Sequence, residues 1–120
     1  ISPSVQHGLG STLDFMATFA TLAGSQVPND RKLDSYDLSS TLLRNEPSPR
    51  KEFFYWTNAE LHAARLGPWK LHIKTREPVN YSKAVVPSKP ELYHLEHDLS
   101  EKHNLADKHP EIVAQLMELM

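Results

Sequence analysis

The chain has 120 residues, of which 39% are hydrophobic and 23% charged, with a formal net charge of −2. That length suffices for one modest core, and a charge so close to zero gives no field to draw nucleic acid or an acidic membrane surface. No apolar run approaches the roughly 18–20 residues that cross a bilayer, and the absence of cysteine excludes disulfides, thiolate catalysis and zinc–thiolate sites.

The opening Ile1-Ser2-Pro3-Ser4 has neither the charged nor the apolar region of a signal peptide, and the chain begins without Met. Ser11-Thr12-Leu13-Asp14 reads as a capping box that starts a helix running to about Ala23 and stopping at Gly24. Its apolar residues Leu13, Phe15, Met16, Phe19, Ala20, Leu22 and Ala23 wrap more than one stripe, so this helix expects neighbours on two sides. Asp34-Ser35-Tyr36-Asp37 is a turn leading into a short helix near 38–43, and Asn45-Glu46-Pro47-Ser48-Pro49-Arg50 is a proline-punctuated connector.

Strands are expected near 52–56, 61–66 and 69–74, the last two joined by a tight turn at Gly67-Pro68. Residues 75–90 hold three prolines and no periodicity and read as a long loop, followed by a strand at 91–95. Asp98-Leu99-Ser100-Glu101 offers a second capping box. Pro110 sits at the first position of a terminal helix whose apolar face is Ile112, Val113, Leu116, Leu119 and Met120. Phe53, Phe54, Trp56, Trp69 and Tyr93 are read as core aromatics. The fold class expected is α+β: a four-stranded antiparallel sheet with the terminal helix across it, preceded by a helical arm. The arm is assigned to residues 1–44 and the sheet subdomain to 45–120.

Ser11-Thr12-Leu13-Asp14-Phe15-Met16-Ala17-Thr18 followed by Leu22-Ala23-Gly24 resembles the S-x-x-D-x-x-P-T and L-A-G segments of the sulfatase family. Asp34-Ser35-Tyr36-Asp37-Leu38 is similar to its D-G-x-D-L turn, and Ala63 to Leu71 to its A-V-R-x-G-x-W-K-L hairpin. Leu92-Tyr93-His94-Leu95, Asp98-Leu99-Ser100-Glu101 and Asn104-Leu105-Ala106 resemble L-Y-D-L, D-P-x-E and N-L-A. Ala17, Ser35 and His94 stand where the family favours Pro, Gly and Asp. The resemblance implies an alkaline-phosphatase-like superfamily member and, within it, the C-terminal part that packs on a large catalytic domain.

It also implies hydrolysis of sulfate esters, on sulfated glycans or aryl sulfates, by a formylglycine nucleophile and a calcium ion. Neither belongs to this chain. There is no Cys, no Ser stands in S-x-P-x-R, and Ser48-Pro49-Arg50 has the wrong spacing. The carboxylates are scattered, whereas calcium needs about six to eight oxygens. No catalytic residue and no metal ligand is therefore assigned. His94, His97, Asp98 and His103 lack a spacing that aims two imidazoles at one point, and Arg65 is read as making a structural ion pair or hydrogen bonds to backbone carbonyls that hold the hairpin.

Residues that could line a substrate pocket are Arg76, Tyr81 and Lys83 of the loop, with His72 and Lys74. The last two alternate with Leu71 and Ile73 and should face outward. The expected partner is the large N-terminal sulfatase domain, or a second copy joined through the helix near 11–23, with no nucleic acid and no membrane. Resemblance implies a periplasmic or secreted protein. A stand-alone interaction module, or a portion of a related phosphohydrolase or phosphotransferase, remains open.

Overall fold

The structure, a computed structural model, describes residues 5–76 and 84–120. These form two compact units, Ile1–Lys51 and Glu52–Met120.

In the first unit, a 3-10 turn at Thr12–Asp14 runs into α1, Phe15–Leu22. The capping box is present: Ser11 Oγ accepts from Leu13 N–H at 3.3 Å, and Asp14 Oδ2 accepts from Ser11 N–H at 2.9 Å. Gly24 closes the helix at φ +70°, with Gly24 N–H on Thr21 O and Ser25 N–H on Ala20 O. Those two bonds are a Schellman ending, which needs a left-handed residue where glycine is least strained. α2, Ser39–Arg44, opens with Asp37 Oδ1 accepting from Ser39 N–H at 2.8 Å and ends at left-handed Asn45.

Residues 34–38 are laced to α1. Ser35 Oγ accepts from Ala17 N–H at 3.1 Å, and Thr18 Oγ1 from Leu38 N–H at 3.0 Å. The first bond explains two departures from the family pattern together. Proline at 17 would have no N–H to offer and glycine at 35 no hydroxyl to receive it. Ser35 does not adopt a positive φ.

Beneath this lacing lies a buried ion pair. Asp14 is 0% exposed and Arg50 4%; Arg50 Nη2 meets Asp14 Oδ1 at 2.7 Å and Nε meets Oδ2 at 2.9 Å. Burial pushes the Asp14 carboxyl up, but the Arg50 guanidinium and the N–H groups of Tyr36 and Ser11 outweigh it and hold Asp14 below its ordinary value. Ser48, the look-alike of a nucleophile, is buried and structural: its Oγ donates to Leu9 O and accepts from Arg50 N–H.

The second unit is a four-stranded antiparallel sheet in the order β1-β2-β3-β6, from β1 (Glu52–Thr57), β2 (Glu60–Leu66), β3 (Trp69–His72) and β6 (Glu91–His94). The β1–β2 turn holds Asn58 and Ala59 at φ 49° and 64°, the type I′ pattern of a two-residue hairpin. The β2–β3 turn has Gly67 at φ 54° before Pro68, whose ring forbids positive φ, leaving type II′. Residues 75–90 are not wholly a loop: β4 (Thr75–Arg76) pairs with β5 (Ala84–Val85) and closes its base.

Phe54, Ala64, Leu71 and Leu92 stand side by side across the four strands on one face. Ala64, Leu71 and Leu92 join Leu116 of α3 (Pro110–Leu119) in the buried core, with Ile112, Val113, Leu119 and Met120 packed around them. Each of the three leucines contributes about 1.5–3 kcal/mol by leaving water.

The edge strand β6 is covered by the Asn104-Leu105-Ala106 segment. Asn104 Oδ1 accepts from Leu92 N–H at 3.1 Å and Leu105 N–H donates to Leu92 O at 2.8 Å. This ties off backbone groups that would otherwise invite another strand.

Two further expectations fail here. Trp56 is 62% exposed rather than core, because it lies at the end of edge strand β1, beyond a break in register, where the core has run out. Asp98 to Glu101 is not a capping box: Asp98 Oδ2 accepts from Lys102 and His103 N–H, while the Glu101 side chain turns away onto the sheet. No helix among the described residues is long and apolar enough to cross a membrane.

Candidate functional site

The face of the sheet opposite α3 carries the polar chemistry. Strand alternation places Tyr55, Ala63, His72 and Glu91 in one row across it, and Phe53, Arg65, Lys70 and Tyr93 in the next. Glu101 is brought over this face by a turn that holds it at φ 53°, a left-handed value that costs a residue with Cβ on the order of 1–2 kcal/mol. Its carboxylate then bridges two side chains, Lys70 Nζ at 2.7 Å and His72 Nε2 at 2.9 Å. Lys70 Nζ also sits 4.5 Å from the centre of the Tyr55 ring.

Burial, and next the Lys70 ammonium, lower the His72 pKa against the opposing pull of Glu101. His72 is therefore neutral near pH 7. With Nε2–H donated to Glu101, its Nδ1 is left as an acceptor. Tyr93, buried beside Glu91, is pushed up to about 12, burial being the larger cause. It remains a phenol that donates to Glu91 Oε2 at 3.3 Å.

A break in register completes the site. Tyr55 faces Ala63 and Trp56 faces Leu61, so His62 is the extra residue of a β-bulge. Its carbonyl accepts from both Ile73 and Lys74 N–H, at 2.9 and 3.1 Å. Strict alternation would send His62 to the core face beside Ala64; a bulge re-aims the residue that carries it. His62 is 7% exposed and has no side-chain hydrogen bond among the described residues. It lines a cleft of about 320 Å³ with Tyr55, Ala63, Lys70, His72, Thr75 and Glu101.

Of the residues singled out from sequence, His72 is in this cleft. It does not face open solvent, because Glu101 and its turn cover it. Lys74 pairs with Glu60 at 3.1 Å at the end of β2 and does not line the cleft. Arg76 belongs to β4, which closes the loop base, whereas Tyr81 and Lys83 lie outside the described residues. Arg65 donates to Gly67 O at 2.8 Å, the second of the two structural roles expected of it. The sequence reading missed His62, Lys70 and Glu101 as a group. The signal for Lys70 was present, a charge within the hairpin motif without an assigned partner, whereas Glu101 was read as part of a cap.

The donor set does not suit calcium. Among the described residues no three His, Asp or Glu side chains gather to hold a metal ion. His94 and His97 stack at 4.2 Å with their planes 10° apart, so their ring nitrogens do not converge on one point.

Residues 48–120 match the family described as the C-terminal region of aryl-sulfatase. The chain is 33% identical to arylsulfatase A of Bos taurus, over 98% of this chain and 26% of that protein. It is 32% identical to N-acetylgalactosamine-6-O-sulfatase of Bacteroides thetaiotaomicron, over 100% of this chain and 24% of the relative. A solved structure from work on glycosaminoglycan metabolism by Bacteroides thetaiotaomicron superposes with a TM-score of 0.71 at 34% identity, covering 95% of this chain and 25% of that one. The chain thus spans about a quarter of the length of these relatives. It belongs to the sulfatase family, and residues 48–120 are the family's C-terminal region.

Proposed function

We propose that this chain works as the C-terminal region of a sulfuric ester hydrolase, closing the fold of a catalytic domain and lining its substrate pocket without catalytic residues of its own. The observation that carries this is the match of residues 48–120 to the C-terminal region of aryl-sulfatase, on a sequence that contains neither a C-x-P-x-R nor an S-x-P-x-R segment. Formylglycine and calcium belong to the catalytic domain in this reading, and the assembled enzyme is secreted or periplasmic. Its substrates are sulfated glycans or aryl sulfates, in keeping with the names of the relatives. His72, Lys74 and the loop residues Arg76, Tyr81 and Lys83 are the side chains proposed to reach substrate.

The surface of α1 supports the expected partner. Leu13, Phe15, Met16, Phe19 and Leu22 are all about half exposed, and Phe15 stacks on Phe19 at 5.3 Å. Four large apolar side chains along this short helix, with Leu13 of the 3-10 turn before it, need a covering surface, which the catalytic domain supplies; in its absence a second copy takes that place. The test is a chimaera in which this chain replaces the matching quarter of arylsulfatase A. It should hydrolyse an aryl sulfate, and His72→Ala should raise KM more than it lowers kcat. The isolated chain should show no turnover. Calcium-dependent hydrolysis by the chain alone would overturn the reading.

A further inference from the structure

We propose that the stacked pair His94 and His97 binds protons and acts as an acid-sensitive latch on the turn that carries Glu101. The inference goes beyond the reading above and needs neither a catalytic domain nor a substrate.

Strand alternation puts His94 on the α3 side of the sheet with Leu92, in register with Trp69. The Trp69 ring meets it edge-on at 4.6 Å, and His109, just before α3, lies 4.9 Å from the same indole. His97 covers the other imidazole at 4.2 Å, 10° from parallel. In this packing His94 Nδ1 is buried and has no hydrogen-bond partner. A bare imidazole lone pair tolerates that position, whereas an N–H carrying positive charge needs an acceptor.

The surrounding charges do not supply one. Within the turn, Asp98 Oδ2 takes the N–H groups of Lys102 and His103 and lies 3.5 Å from His103 Nδ1, while Glu96 is exposed. Across Trp69, Glu111 is 3.3 Å from His109 Nδ1. A proton on each ring of the stack would set two like charges face to face. Imidazoles take up protons between roughly pH 5 and 8, so the stack holds when neutral and parts on acidification.

The stack closes a turn in which Leu95 N–H bonds Pro68 O, and the His97 and Asp98 N–H groups both bond His94 O, at 2.8, 3.1 and 2.9 Å. Glu101 N–H in turn bonds Asp98 O at 3.1 Å. The residue that bridges Lys70 and His72 on the opposite face therefore hangs from this turn. Parting the stack loosens that bridge. A proton on His72 pulls Glu101 the other way, so the latch is read on the turn and not on the bridge.

The experiment is amide hydrogen exchange of the full chain at about pH 7.5 and about pH 5, each rate corrected for its intrinsic pH dependence. Protection of Leu95, His97 and Asp98 should fall about tenfold or more on acidification, while Ile73 N–H, bonded to His62 O in the same sheet, holds. In His94→Gln, which binds no proton, the fall should shrink to within about threefold, and His72→Gln should leave it intact. Should His94→Gln lose Ile73 protection at the higher pH, and so fail to fold, His97→Ala decides. That residue is exposed, and removing its ring opens Nδ1 to water and should also bring the fall within about threefold. No fall in the unmodified chain, or the full fall persisting in a folded His94→Gln or His97→Ala, would overturn the proposal.

Discussion

Replacing Arg50 by Leu tests the account of the first unit most directly. The guanidinium makes three N–H···O contacts to Asp14 at 2.7, 2.9 and 3.1 Å, reaches Asp34 Oδ1 at 3.2 Å and lies 4.6 Å from the centre of the Tyr36 ring. Without it, Asp14 keeps only the N–H groups of Ser11 and Tyr36, each at 2.9 Å, while remaining fully buried. Breaking a buried ion pair from one side costs about 3–5 kcal/mol, and the two surviving donors place this case near 3. A unit of some fifty residues has little stability to lose, so α1 should detach from residues 34–38.

Amide exchange reads the outcome. Ala17 and Leu38, whose N–H groups bond Ser35 and Thr18, should exchange more than about a hundredfold faster. Arg50→Lys keeps the charge but loses the forked geometry and should show an intermediate effect. The pH dependence supplies an independent check. Asp14 is depressed in the fold, so between 3.8 and its lower folded value the unfolded chain binds more protons, and stability falls on acidification through that window. In Arg50→Leu only burial and the backbone donors act on Asp14, and this acid dependence should shrink or reverse. An Arg50→Leu variant with unchanged exchange at Ala17 and Leu38 would refute the reasoning.

Leu116→Ala should cost the sheet unit about 2–5 kcal/mol in urea unfolding, since Leu116 is fully buried beneath α3. Ala59→Gly should stabilise the same unit by about 0.5–1 kcal/mol, because Ala59 sits at φ 64° in a turn that favours glycine. Gly8→Ala should destabilise the first unit by about 1–3 kcal/mol, as an added Cβ would lie 2.8 Å from Ser48 Cβ. For His72, lowered in the fold from 6.5, the unfolded state binds more protons just below pH 6.5; stability should rise with pH there, and His72→Gln should flatten that part of the profile.

Elements whose specification is local were legible from sequence. The Ser11 box, the Gly24 stop, the Gly67-Pro68 turn and the α3 stripe all follow from residues within a few positions of one another, and each is found where it was expected. What sequence did not show depends on distant partners. Asp14 reads as a cap, and only the fold reveals that the same carboxylate anchors Arg50, 36 residues away. Glu101 was assigned to a cap because its neighbours fit one, yet Lys70 and His72 offered charge and hydrogen bonds the backbone could not match. A bulge leaves no mark in an alternation pattern, so His62 could not be placed on its true face.

The motifs that identify the family turn out to be pairs in space. The W-K-L segment and the D-L-S-E segment meet through Lys70 and Glu101, and the L-Y and N-L-A segments meet through the Leu92 backbone and Asn104. Ala17 and Ser35, two departures from the pattern, answer one another in the same way. Residues that tie one motif to another serve the fold first, so the most recognisable residues here are structural. Binding chemistry is then to be sought where the pairing leaves a group unsatisfied. Among the described residues that criterion points to Nδ1 of His94, at the position of the L-Y motif where the family favours Asp.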